Sequence, residues 1–126
     1  MAFARILLAV TGLVFFIHGV VCFVHPSTIG FESGLAMPTP GSIIEVRAEY
    51  GGLPMALGLF FFAGALRKLD PRTSLSVMTL VVSGYAIARV AATLIAGGAD
   101  TYNMAAIGYE VVTAALGFWA LRLTKA

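Results

Sequence analysis

Charged residues are scarce in this sequence. Asp, Glu, Lys and Arg make up 11% of its 126 residues, against roughly 25% in an ordinary soluble domain. Apolar residues make up 60%, and the mean hydropathy is +0.95. A chain of this length cannot bury so much apolar surface in its own interior, so the surplus must face lipid. The composition excludes an ordinary soluble domain and predicts an integral membrane protein.

Cysteine and basic clusters are also nearly absent. The single cysteine, Cys22, excludes a disulfide framework. No basic run with interleaved aromatics suggests a nucleic-acid partner, and no P-loop motif suggests a nucleotide. His18, Cys22 and His25 share one helical face at ligand-like spacing. No second cluster completes that set, so neither a metal nor a cofactor is predicted.

Four apolar segments are long enough to cross a hydrocarbon core of roughly 30 Å, which needs about 20 helical residues. The first is too long for a signal-peptide core and no small-residue cleavage site follows it, which favours a retained helix. The prediction is an all-α fold, a single domain over residues 1–126 that forms a four-transmembrane-helix bundle. The predicted spans cover about 3–24, 43–66, 73–96 and 101–123.

Helix starts are predicted from capping residues. Residues 26–41 are rich in Gly, Pro, Ser and Thr and are predicted to form an external loop. Ser42 followed by Glu45 is a capping-box pattern, which predicts the start of the second helix. By the same criterion, the third helix is predicted to start at Thr73 or Ser74. The fourth is predicted to have Asp100 or Thr101 as its cap.

The basic residues outside the spans predict the orientation. They occur at the N-terminus, in the middle turn and at the C-terminus, and the other two loops contain no Lys or Arg. Under the positive-inside rule both termini are predicted to be cytoplasmic. The residues concerned are Arg5, Arg67, Lys68, Arg72, Arg122 and Lys125.

The remaining ionisable groups form a predicted polar layer in the outer half of the membrane. Four of them, one from each span, fall about 18–27 Å from the cytoplasmic charges at 1.5 Å per residue. A charge at the bilayer centre costs at least ~2.5–3.5 kcal/mol, so these groups should face one another. The simplest arrangement places Arg89 between Glu49 and Glu110. The predicted binding residues are His18, Glu45, Glu49, Tyr50, Tyr85, Arg89 and Glu110.

Two features each allow two interpretations. The charged layer is either an ion-pair network that sets helix register or a site for a ligand or a proton. Gly51, Gly52 and Pro54 indicate either close helix packing with a kink or a locally opened helix whose freed carbonyl lines a cavity. Glu45 and Glu49 are four residues apart and are predicted to share a helix face.

The stretch Glu45-x-Arg47-Ala48-x-Tyr50-Gly51-Gly52, with a mid-helix Arg89 and a mid-helix Glu110, carries a resemblance. The chain resembles an uncharacterised bacterial family of small four-helix membrane proteins, known only as a domain of unknown function. It is more distantly similar to DoxX-like four-helix membrane proteins. The resemblance covers nearly the whole chain. It implies a four-helix fold and a location in the bacterial cytoplasmic (inner) membrane, and it supplies no activity or catalytic residues.

Three functions fit these features. The first is a non-catalytic membrane module that binds a small or lipophilic ligand, a second copy of the chain or another membrane subunit. The second is an enzyme that uses Glu49 or Glu110 as general acid or base on a lipophilic substrate. The third is a dimeric proton-coupled transporter. Small multidrug exporters of this size keep an essential acid in their first helix, and this chain has none there.

Overall fold

The structure, a computed structural model, describes residues 1–124, and its secondary structure is helices joined by short connections. The all-α prediction is therefore confirmed, while Lys125 lies outside the described residues. The elements are α1 (Ala2–Val24), α2 (Ser27–Ser33), α3 (Pro40–Val46), a π-helical segment (Arg47–Gly52), α4 (Leu53–Ala65), α5 (Pro71–Ala96) and α6 (Thr101–Leu123).

The second predicted span is a continuous helical rod made of α3, the π-helical segment and α4. Backbone angles at its two junctions stay in the right-handed helical region, with φ of −60° at Val46 and −61° at Gly52. We call Pro40–Ala65 the rod. Its predicted start was wrong, because the cap is Thr39 and not Ser42. Thr39 Oγ1 accepts from the Ser42 amide at 3.1 Å, and Ser42 Oγ accepts from the Thr39 amide at 3.1 Å.

The predicted external loop at residues 26–41 also needs correction, since it contains α2. A seven-residue helix of this composition has little intrinsic stability, so tertiary packing must hold it. Ile29 is 1% exposed and packs in a small cluster with Cys22 and Val46. Gly34 ends the helix in the left-handed conformation, at φ 76°, which costs glycine little.

The third span starts earlier than predicted. Helix α5 begins at Pro71, and Asp70 caps it by accepting from the Thr73 amide at 2.8 Å. Proline fits the first turn because its missing N–H would be unpaired there in any case. For α6 the structure selects Asp100 of the two predicted caps, which accepts from the Asn103 amide at 2.8 Å.

Glycines set the distance between α1 and the rod. A Cβ on Gly12 would lie 2.8 Å from the Gly58 carbonyl oxygen, and a Cβ on Gly19 would lie 2.6 Å from that of Gly51. Gly12 and Gly19 are seven residues apart in α1, and Gly51 and Gly58 are seven residues apart in the rod. The contacts therefore repeat along one face of two antiparallel helices. Small residues at helix contacts are typical of membrane proteins, because they let two backbones approach closely and gain van der Waals contact. We call these two elements the α1–rod pair.

Helices α5 and α6 form a second, antiparallel pair, the α5–α6 pair. It packs tightly at one place, where Gly117 lies against Thr79. We call the end of the molecule that carries Met1, the turn at 66–70 and Thr124 the termini end. The two helix pairs meet through a shared core near this end. This core is built from Ala4, Leu7, Leu8, Phe61, Ala65, Leu75, Met78, Val82, Ala114 and Ala120. The opposite end, with residues 25–39 and 97–100, is the loop end.

Three helices, α1, α5 and α6, are long and apolar enough to cross a membrane. Their outward faces carry large apolar side chains with no protein cover, among them Ile95 at 88% and Leu80 at 74% exposure. Such surface is suited to lipid rather than water, because burying it from water is favourable. The structure therefore supports a small helical membrane protein.

Candidate functional site

A cavity of about 760 Å³ opens between the two helix pairs at the loop end. We call it the cavity. Its wall combines apolar residues, among them Phe15, Pro54 and Val82, with ten polar or ionisable residues. The polar lining is His18, Ser33, Glu49, Tyr50, Tyr85, Arg89, Tyr102, Asn103, Tyr109 and Glu110.

Arg89 holds one wall of the cavity together. Its Nε donates to both carboxylate oxygens of Glu110, at 3.0 and 3.1 Å, and its Nη2 donates to Oε1 at 2.9 Å. Its Nη1 donates to Asn103 Oδ1 at 2.7 Å. Among residues 1–124 this is the one ion pair within 4.0 Å, with side-chain exposures of 24% and 10%. The charge of Arg89 is therefore neutralised, and the network ties α5 to α6.

The same network separates the cavity from a shallower one. The second cavity has a volume of about 540 Å³ and lies between the ends of α5 and α6 that meet at the loop end. Tyr85, Arg89 and Asn103 line both cavities. These three side chains therefore form the boundary between the two cavities.

The structure places six of the seven predicted binding residues on the cavity wall and leaves Glu45 outside it. Glu45 lies in α3, before the π-helical segment that carries Glu49 and Tyr50, so regular α-helical spacing does not extend from one carboxylate to the other. That the two share a helix face stays a prediction. Glu49 and Glu45 are both exposed, but only Glu49 is exposed toward the cavity.

Arg89 does not lie between two carboxylates. Within the described part of the chain, its only ion-pair partner is Glu110, and Glu49 forms no ion pair within 4.0 Å. The physical reason is that Glu110 and Asn103 already accept from three of the guanidinium nitrogens. The cavity therefore contains one neutralised ion pair and one carboxylate without a cationic partner among residues 1–124.

Of the two interpretations of Gly51, Gly52 and Pro54, the structure supports close helix packing, and a freed carbonyl that lines the cavity stays a prediction. Close packing is present, because a Cβ on Gly51 would lie 2.9 Å from Phe23 Cβ. Altered hydrogen bonding is present as well, because the Leu53 amide donates to the Ala48 carbonyl five residues earlier. Pro54 has no N–H to donate, and π-helical turns are frequent at functional sites.

The other arginines that contact another element act on helix ends. Arg47 Nε donates to the Phe23 carbonyl at 3.0 Å, and its guanidinium lies 5.8 Å from the Phe23 ring centroid. Arg5 Nε donates to the Ala65 carbonyl at 2.8 Å. These bonds satisfy carbonyls that a helix leaves unpaired at its C-terminus. Arg47 is therefore a structural residue, and Arg89 is the arginine of the cavity.

Some lining residues were missed or misassigned from the sequence. Tyr102 reads as an interface anchor near a helix end, yet it lines the cavity. Ser33, Gly34 and Leu35 reach the cavity because α2 folds over it. Asn103 lies on the same small and polar stripe of α6 as Glu110, seven residues away, and that spacing is the signal that could have found it.

His18 lies on the cavity wall, and its ring nitrogens are 3.7 and 3.9 Å from Cys22 Sγ. Cys22 itself is buried. Across residues 1–124, no group of three or more His, Cys, Asp or Glu is close enough to hold a metal ion. The His18 and Cys22 pair is therefore a local contact on one face of α1.

The fold and the cavity define a small helical protein with membrane-crossing helices and a polar-lined chamber at one end. The chain belongs to the family described as Domain of unknown function (DUF4345), whose model matches residues 3–121. No curated protein and no solved structure matches the chain. Membership of an uncharacterised family is thus confirmed, while the likeness to DoxX-like proteins stays a prediction.

Proposed function

We propose that the protein crosses the membrane four times as a single-domain bundle, with the rod as the fourth span. The rod is about 35–39 Å long at the helical rise, more than the roughly 30 Å hydrocarbon core requires. Its stretch 48–65 carries one charged residue, Glu49. The π-helical segment divides the rod, so neither α-helical part alone has the length of a span.

The proposed orientation places the termini end in the cytoplasm of a bacterium and the loop end outside its inner membrane. Of the seven basic residues within 1–124, five lie at the termini end, as the positive-inside rule requires of cytoplasmic segments. The test is thiol labelling of intact cells with a membrane-impermeant maleimide, in a Cys22→Ala background. Ala99→Cys should label and Leu69→Cys should not, and the reverse pattern would refute the orientation.

We propose that the cavity binds a small lipophilic molecule. The observation that carries the proposal is the convergence of all four predicted spans on one chamber of about 760 Å³. Ligand sites in proteins measure about 300–1,000 Å³ and combine a mostly apolar wall with a few polar groups. Val14, Phe15 and Val82 would contact the apolar part of the ligand, and the hydroxyl and carboxylate groups would orient its polar part.

A cavity-filling variant tests this proposal. Ala106 lines the cavity, whereas its neighbour Ala105 is exposed on the outer face of α6. The protein is extracted in dodecyl maltoside, and co-purifying molecules are measured by mass spectrometry. Ala106→Trp should remove at least nine-tenths of a bound molecule that Ala105→Trp retains. If both variants retain the same molecules in the same amounts, the cavity is not the binding site.

A second candidate function is an enzyme on a lipophilic substrate, supported by the unpaired carboxylate of Glu49 on the cavity wall. Glu110 is the weaker candidate base, because Arg89 occupies both of its oxygens. A general base needs a free lone pair within reach of the proton it accepts. Glu49→Gln should then abolish turnover of a substrate that Glu45→Gln still converts. The proton-coupled transporter stays a prediction.

A further inference from the structure

The four tyrosines of the chain all line the cavity, although they come from three different elements. Tyr50 lies on the π-helical segment, Tyr85 on α5, and Tyr102 and Tyr109 on α6. Three of them keep 38–40% of their surface exposed. Phe15 adds a fifth aromatic ring to the same wall. Aromatic rings carry negative charge on their faces and attract cations placed over them.

The unbalanced charge of the cavity is negative. Arg89 is neutralised by Glu110, while Glu49 has no cationic partner within 4.0 Å among the described residues. An anionic ligand would meet Glu49 without gaining a free cation in return. A neutral ligand would leave the charge of Glu49 without a counter-charge. A cation would neutralise Glu49 and could also contact the tyrosine rings.

The charge distribution along the chain also favours a cationic ligand. Five of its six acidic residues lie in the loop-end half, together with two of its eight basic residues, Arg47 and Arg89. That half therefore has a net charge of −3. A field of one sign around a chamber raises the local concentration of oppositely charged ligands. The acidic residues are Glu32, Glu45, Glu49, Asp100 and Glu110.

We propose that the ligand is a lipophilic organic cation, such as a tertiary amine, a quaternary ammonium or a phosphonium carrying apolar groups. Glu49 neutralises its charge, the tyrosine rings surround the charged centre, and the apolar wall accepts its hydrocarbon groups. This proposal rests on the proposed function, because it assigns a chemical class to the ligand of the same cavity.

The test compares two ions of the same shape and opposite charge. Binding of tetraphenylphosphonium and of tetraphenylborate is measured by equilibrium dialysis on the purified full chain in dodecyl maltoside, with empty micelles as the blank. Tetraphenylphosphonium should bind in 1:1 ratio and at least tenfold more tightly than tetraphenylborate. Ala106→Trp should abolish its binding.

Matched variants then assign the contacts. Glu49→Gln should weaken phosphonium binding at least tenfold, while Glu45→Gln, a carboxylate in the same rod but outside the cavity, should leave it unchanged. Tyr85→Leu should weaken binding roughly 2- to 30-fold, the range of a cation–π contact, and Tyr85→Phe should stay close to the parent. The Tyr85 pair keeps the proposal testable if the Glu49 variant fails to fold.

The outcomes separate the two proposals. Equal or tighter binding of the borate, or equal effects of Glu49→Gln and Glu45→Gln, would overturn the cation assignment. If neither ion binds but Ala106→Trp still removes a co-purifying molecule, the cation assignment is also wrong while the cavity remains a binding site. Failure of the Ala106→Trp experiment as well would refute both proposals.

Discussion

The α1–rod pair and the α5–α6 pair are held together in different ways. The first is joined by glycines, so that backbone meets backbone at Gly12 with Gly58 and again at Gly19 with Gly51. In the second, an added Cβ on Gly84 would have no neighbour within 4 Å. A close glycine contact, Gly117 against Thr79, lies toward the termini end of this pair, while toward the loop end the Arg89 and Glu110 side chains make the contact between the helices. Close packing leaves no room for a ligand, whereas helices bridged by long side chains can leave a cavity beside the bridge.

The largest expected effect comes from breaking the polar bridge of the α5–α6 pair. Glu110→Leu should lower the free energy of unfolding by about 3 kcal/mol, because it leaves the Arg89 charge buried without a partner. The figure is at the lower end of the usual range, since Arg89 is 24% exposed. The measurement is unfolding by dodecyl sulfate in mixed micelles.

The double variant Arg89→Met with Glu110→Leu is the control for this prediction. It removes both charges, and stability should return to within about 1 kcal/mol of the parent, since replacing a whole buried pair is often neutral. A double variant as unstable as Glu110→Leu alone would mean that the bridge itself, and not the orphaned charge, sets the stability of this pair.

The glycine contact of the α1–rod pair should be the next most sensitive feature. In Gly58→Ala the new Cβ would lie 2.6 Å from the Gly12 carbonyl oxygen and 2.7 Å from the Phe16 amide nitrogen. Both atoms belong to backbone and cannot rotate away, so the helices must separate. We expect a loss of about 1–3 kcal/mol, the usual cost of overpacking, in the same unfolding assay. A loss below 0.5 kcal/mol, well under that range, would contradict the close approach.

The same substitution in the α5–α6 pair should have the opposite sign. Gly84→Ala adds a Cβ that meets nothing within 4 Å, in the interior of α5. Alanine restricts the unfolded chain more than glycine does, so the variant should gain about 0.5–1 kcal/mol. If it is destabilised instead, α5 packs more closely at this position than the structure has it, and the contrast between the two helix pairs fails.

Much of this architecture follows from local sequence signals. Runs of about 20 apolar residues predict α1, α5 and α6 because a helix of that length spans the hydrocarbon core and satisfies its backbone hydrogen bonds within one segment. Helix ends are local too, so Asp100 could be identified as a cap. The start of the rod was misplaced because Ser42 with Glu45 has the sequence of a capping box, whereas the true box is formed by Thr39 with Ser42, which lacks the Glu or Gln of that pattern.

The composition of the cavity depends on helix rotation, which sequence spacing constrains only if the helix is regular. The π-helical segment breaks that assumption, and the member of the predicted set that does not line the cavity is Glu45, which lies before the segment. Arg89 had two candidate carboxylates in the sequence, and the choice of Glu110 depends on how α5 and α6 pack. Helix α2 was missed because its stability comes from the burial of Ile29, which no local pattern indicates.

The smallest expected effect concerns the turn that joins the two helix pairs at the termini end. Asp70 Oδ2 accepts from the Thr73 hydroxyl at 2.6 Å and from its amide at 2.8 Å, and these bonds lower the pKa of Asp70 below its ordinary value. A carboxyl whose pKa is lower in the folded state stabilises the fold above its unfolded pKa, about 3.9, and loses that contribution as the pH falls through the folded pKa.

The stability difference between the parent and Asp70→Ala should therefore be constant from pH 8 to about 5 and shrink below about 4. Asp70→Asn retains a capping oxygen that does not titrate, so its difference from Asp70→Ala should not change with pH. If that difference shrinks in parallel with the parent's, the acid sensitivity arises elsewhere and not from the Asp70 carboxylate.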